Sequence, residues 1–114
     1  MAELRGDVLR GHLEGMALAV LAAGEAHGYE VLQRLERAGC GELRLKEGTL
    51  YPVLYRLEED GCLSARWEED GAGRRGPRRR IYRITTRGKR RLAEDRQGWQ
   101  RFVAVVGRIL EVGT

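Results

Sequence analysis

A chain of 114 residues with 42% hydrophobic and 33% charged residues holds one highly charged globular domain with a modest core, and excludes a disordered chain. Its longest apolar run, Met16 to Ala23, is too short to span a bilayer, and Glu3 and Asp7 upstream exclude a secretory signal, so a cytoplasmic protein is expected. The net charge of +4 is unevenly spread: Arg74 to Arg101 holds twelve Lys or Arg against Glu94 and Asp95, a local +10, while the rest carries nine bases and fifteen acids, or −6.

Leu9, Leu13, Met16, Ala17, Val20 and Leu21 predict a first amphipathic helix that closes near Gly24. In "HGYEVLQRLERAG", Val31, Leu32 and Leu35 share one face of a second helix, with Gly39 as its stop. "ELRL", Glu42 to Leu45, alternates as a very short strand would. In "KEGTLYPVLYRLEEDG", Leu50, Val53, Leu54 and Leu57 fall at i, i+3, i+4 and i+7 and predict a third helix ended by Gly61. That helix is expected to start near Gly48, because Pro52 lacks an N–H and fits only an opening turn.

Beyond Gly61, "CLSARWEE" alternates, with Leu63, Ala65 and Trp67 on one side. "DGAGRRGPRR" is a loop by its Gly and Pro content, and "RIYRIT" returns as a strand with Tyr82 and Ile84 on a shared face. Thr85 or Thr86 is placed to cap a final helix. The order predicts an α+β, mainly α fold: a winged helix-turn-helix over residues 1–85 and a C-terminal dimerisation helix over 86–114. In such an architecture the third helix enters the major groove and the hairpin tip reaches the adjacent backbone or minor groove.

Double-stranded DNA is therefore the expected partner. Lys46, Thr49, Tyr51 and Tyr55 lie on or beside the opening of the third helix, where hydroxyls and the helix dipole favour phosphate; the two tyrosines also fit half-buried packing positions. Arg56 is the candidate base-edge contact, with a salt bridge to Glu59 or Asp60 as the alternative. Arg74, Arg75, Arg78, Arg79 and Arg80 crowd the hairpin with few acids nearby, which favours a polyanion and steeply salt-dependent binding. "GAGRRG" matches a dinucleotide fingerprint, but a strand follows it instead of a helix, so its glycines make a hairpin tip.

Cys40 and Cys62 match no metal or redox spacing and read as free thiols. His12 and His27 have no ligand-spaced companions, and no nucleophile–base pair is in place. Neither an enzyme, a metal nor a cofactor is expected. Leu92, Trp99, Phe102, Val103, Val106, Ile109 and Leu110 form an apolar stripe on the last helix. A second copy of the chain is its natural cover, giving a homodimer; folding back on the first helix is the alternative. Two rivals from other classes remain: a winged helix that grips a protein instead of DNA, disfavoured by the +10 segment, and a small-molecule binder that never touches DNA.

"LRGHLEGMALAVLAAGEAHGYEVLQRLE", "LKEGTLYPVLYRLEEDGCLSARWEE" and "RRRIYRITTRGKRRL" together resemble the PadR family of bacterial transcriptional regulators, over roughly residues 9 to 106. The resemblance implies a winged-helix dimer, usually a repressor, with the helix around Thr49 to Arg56 as recognition helix and the hairpin as wing. The short C-terminal part is similar to the branch without a larger C-terminal domain. Some short members sense drugs by stacking flat aromatic compounds between tryptophans of the two C-terminal helices. This implies a small aromatic ligand as a candidate partner and Trp99 as its candidate site, although residues 13–17 offer no second aromatic.

Overall fold

The structure is a computed structural model that describes residues 11–69 and 76–112. Among the described residues seven elements follow in chain order: α1 (Leu13–Leu21), β1 (Ala26–His27), α2 (Gly28–Ala38), α3 (Glu47–Glu59), β2 (Leu63–Trp67), β3 (Arg80–Ile84) and α4 (Thr86–Glu111). The strands form one antiparallel sheet in the order β1-β3-β2. This is the mainly helical winged-helix arrangement read from the sequence.

The predicted apolar faces close on a single core: Leu13, Ala17 and Leu21 of α1 meet Val31, Leu32 and Leu35 of α2, and Leu50, Val53, Leu54 and Leu57 of α3. Leu18, absent from the predicted stripe, is fully buried with them, whereas Met16 and Val20 are only partly buried against this core. The small sheet seals one end with Leu63, Tyr82 and Ile84. Tyr82 pairs across the sheet with Ala26 on one side and Ala65 on the other, and these small neighbours make room for its ring. Leu9 lies outside the described residues, so the start of the first helix rests on Leu13.

The ends of α3 show how local chemistry fixes this helix. Gly61 adopts φ +77°, and two bonds close the helix: Gly61 N–H to the Glu58 carbonyl at 3.0 Å and Cys62 N–H to the Leu57 carbonyl at 2.9 Å. This is the paired C-terminal closure that glycine permits. At the other end α3 begins at Glu47, one residue earlier than Gly48, so Pro52 sits in the second turn and not the opening one. The proline is tolerated because it and Gly48 are both exposed. The Gly48 carbonyl, which loses its N–H partner, thus lies on the wet side of the helix.

The predicted strand at Glu42–Leu45 is not formed; only Leu43 there makes a single bridge. Its alternation is real but serves another end, since Leu43 and Leu45 are both buried and pin the α2–α3 connection into the core. The third strand is instead β1, just before α2. His27 ends β1 and caps α2 at once, its Nδ1 accepting the Glu30 N–H at 3.1 Å. Arg34 reaches back from α2 to donate to the carbonyls of Val20, Gly24 and Glu25, satisfying groups left open where α1 ends.

Thr85 is the cap of α4: its Oγ1 accepts the Gly88 N–H at 3.0 Å and donates to the Gly61 carbonyl at 2.6 Å. Only Gly88 and Leu92 of the 26 residues of α4 are buried. The helix therefore leaves the core after two turns and runs on for most of its length, about 39 Å at 1.5 Å per residue. It accounts for the elongated shape, 62 × 32 × 20 Å.

Candidate nucleic-acid interface

With Leu50, Val53, Leu54 and Leu57 turned inward, the 100° step of an α-helix directs Gly48, Pro52, Tyr55 and Glu59 outward, and all four are exposed. Thr49 and Arg56 flank this face on one side, Tyr51 and Glu58 on the other. Lys46 stands exposed at the N-cap. Lys46 and Thr49 thus share the N-terminal end of α3, where the helix dipole favours anions.

The two tyrosines divide. Tyr55 is 54% exposed, whereas Tyr51 is half-buried against α2. The contact is so close that a Cβ on Gly28 would lie 2.2 Å from the Tyr51 ring, which explains the glycine at the head of α2. The rings stack on each other, with centroids 6.5 Å apart and 25° between planes. Burial, followed by Glu47 and Tyr55, raises the Tyr51 phenol above its ordinary value, so it remains a hydrogen-bond donor.

Arg56 bonds to neither Glu59 nor Asp60. Its Nε lies 3.3 Å from Glu14 on α1. Glu14 also pairs with Arg91 of α4, and Arg91 extends to Asp60 at 3.7 Å and Asp95 at 3.8 Å. One carboxylate thus joins the first, third and last helices. The Arg91 guanidinium, though desolvated, is pushed above its usual range by Glu14. Nothing in the sequence spacing marks Glu14, because its two partners lie 42 and 77 residues away.

Of the wing arginines, Arg74 and Arg75 lie outside the described residues. Arg78 and Arg79 are exposed at the foot of the hairpin. The Arg79 N–H donates to Glu68 Oε1 at 3.1 Å, and its Nη1 lies 2.9 Å from His27 Nε2, bringing the wing beside the head of α2. Arg80 differs from both. It donates to Glu58 at 2.6 Å and lies over Trp67, which shares the side of Leu63 and Ala65 as the alternation predicted but is itself 54% exposed. Trp67 is the last residue of its strand.

On the C-terminal helix, Trp99, Phe102, Val103, Ile109 and Leu110 are exposed, and Val106 is half-buried. Leu92 does not belong with them: it is 5% exposed and packed in the core of its own chain, one turn after Gly88. Trp99 stacks on Phe102 at 5.7 Å and meets His12 edge-on at 5.3 Å. The aromatic neighbour of Trp99 near α1 is therefore a histidine just before the helix, outside the 13–17 window. Among the described residues no group of three or more His, Cys, Asp or Glu could hold a metal, and no helix is long and apolar enough to cross a membrane. Cys62 is buried and Cys40 exposed, both as thiols.

An exposed third helix beside an arginine-rich β-hairpin, on a three-helix core, defines a winged-helix DNA-binding protein. Residues 17–94 match the model of the transcriptional regulator PadR-like family, and the chain belongs to that family. It is similar over its length to a transcriptional regulator from Clostridium thermocellum (28% identical, TM-score 0.82, covering 92% of this chain and 99% of that one). It is also similar to a PadR family transcriptional regulator from Eggerthella lenta (32% identical, TM-score 0.80, covering 94% and 88%). A protein of Lysinibacillus sphaericus, "Uncharacterized protein X", is 32% identical over 108 residues, 95% of this chain and 96% of its own.

Proposed function

We propose that this chain is a repressor that binds a two-fold symmetric operator as a homodimer. The observation that carries the reading is the C-terminal half of α4: Trp99, Phe102, Ile109 and Leu110 are each more than half exposed on a helix that projects from its own core. Apolar surface on that scale calls for a partner. A second α4 packed on it in two-fold fashion supplies one and places two copies of α3 on one side of the assembly, as paired half-sites require.

In this reading Thr49, Tyr55 and the first-turn amides of α3 hold the groove, Lys46 and the wing residues Arg74, Arg75, Arg78 and Arg79 hold phosphate, and Arg56 reads a base once it leaves Glu14. Tyr51 acts chiefly by packing. Residues 86–114 dimerise, except that Gly88 and Leu92 serve the winged domain. Repression follows from occupancy of the operator. Phe102 covers one face of Trp99, so a small aromatic compound that releases the operator would stack on the other face.

Sedimentation equilibrium tests the reading. The account predicts a particle of twice 12.9 kDa for the free chain, and two chains per duplex once DNA is added. A monomer that binds DNA one chain at a time refutes the dimer; a dimer with no affinity for any duplex favours the protein-interaction module instead.

A further inference from the structure

We propose that Arg80, which the sequence groups with the phosphate-binding arginines of the wing, acts instead as a positioning residue that fixes the wing to the recognition helix through Glu58. The inference rests on the DNA-binding reading above. The strand register sets Arg80 directly opposite Trp67 at the wing end of the β2–β3 ladder. Side chains alternate along a strand, so Arg80 shares the face of Tyr82 and Ile84, both of which are buried. It is thus directed at α3 and away from the outer face of the hairpin.

There the guanidinium lies 5.3 Å from the centre of the Trp67 ring, and Nη2 donates to Glu58 Oε2 at 2.6 Å. The side chains of Arg80 and Glu58 are each 30% exposed. Partial shelter beside an aromatic face leaves such a pair stronger than a fully wet one. The Glu58 hydrogen bond raises the Arg80 guanidinium above its usual range. Glu58 stands one turn beyond Tyr55 on the recognition helix, while Trp67 and Arg80 are the two roots of the hairpin. Holding all three together sets where Arg78 and Arg79 stand relative to the groove-facing surface of α3. Planarity and a fork of donors suit arginine to this role, and lysine offers neither.

The test measures binding to a duplex selected by the wild-type chain from a random pool, across a series of salt concentrations. The variants are R80A, E58A, the double R80A/E58A and the charge-reversed pair R80E/E58R, each checked by thermal melting. A positioning role predicts that R80A and E58A each weaken binding by about fivefold with no change in salt slope. It also predicts that the double variant is no worse than either single, and that the reversed pair recovers most of the loss. A phosphate contact predicts otherwise: R80A lowers the slope by about 0.9, and E58A tightens binding by freeing the arginine. Either of those results overturns the proposal. Absence of any duplex binding by the wild type overturns the DNA-binding reading, and this inference with it.

Discussion

Gly88→Ala is the sharpest perturbation of the joint between the winged domain and α4. A methyl group at Gly88 would lie 2.2 Å from the Cys62 carbonyl oxygen and 2.8 Å from Ile84 Cγ1. Neither gives way cheaply. The Cys62 carbonyl accepts the Thr85 N–H at 3.0 Å, and the Gly88 N–H is itself tied to Thr85 Oγ1, so moving α4 away breaks its cap. Overpacking of this kind costs about 3 kcal/mol when the obstacle is backbone, and the better helix propensity of alanine returns about 0.8 kcal/mol. For 114 residues the unfolding entropy is about 0.24 kcal/mol per kelvin, so a net loss of about 2 kcal/mol lowers Tm by roughly 9 °C. Circular dichroism melts at matched protein concentration read this directly. Gly98→Ala serves as the control: a Cβ there meets nothing within 4 Å, and propensity alone raises Tm by about 3 °C. A Gly88→Ala variant that melts within 2 °C of wild type would refute the close packing of α4 on the Cys62 turn.

Three further outcomes follow from the same geometry. Val106→Glu puts a charge in the middle of the α4 stripe and should yield a folded monomer of 12.9 kDa with weakened duplex binding; light scattering that still shows a dimer sinks the proposed interface. Replacing Arg74, Arg75, Arg78 and Arg79 together with alanine should weaken binding to every duplex and reduce the salt slope by about 3.6, four phosphates at 0.9 each; an unchanged slope takes the wing out of the interface. Burial, then Tyr55 and Glu58, push the Tyr82 phenol up to about 12. The unfolded chain ionises near pH 10 while the folded one holds its proton, so stability is full below pH 10 and falls as pH rises towards 12. Tyr82→Phe should move the alkaline unfolding midpoint upward, and an unmoved midpoint denies Tyr82 that role.

What the sequence displayed, and what it hid, follows from the range of the interactions involved. The three helices were legible because each buries a stripe with 3.6-residue spacing, as in Leu50, Val53, Leu54 and Leu57. Gly61 and Thr85 were legible because caps are local chemistry. β1 was not legible, because two residues carry no period; they are a strand only through pairing with Tyr82 and Ile81. Leu43 and Leu45 misled for the complementary reason, since a buried loop alternates like a strand. Leu92 shared the heptad-like spacing of the α4 stripe, yet belongs to its own core, because α4 still lies on that core at this turn. Arg56 and Arg80 sat among residues of the expected interface, but their partners Glu14 and Glu58 are 42 and 22 residues distant, where no spacing rule reaches.

Selection of duplexes from a random pool at two salt concentrations tests the central claim most directly. The account predicts an enriched motif with two-fold symmetry, half-sites about one helical turn apart, and survival of that motif at the higher salt. Capture that vanishes with salt and enriches nothing, or no capture at all, contradicts a sequence-specific dimeric regulator.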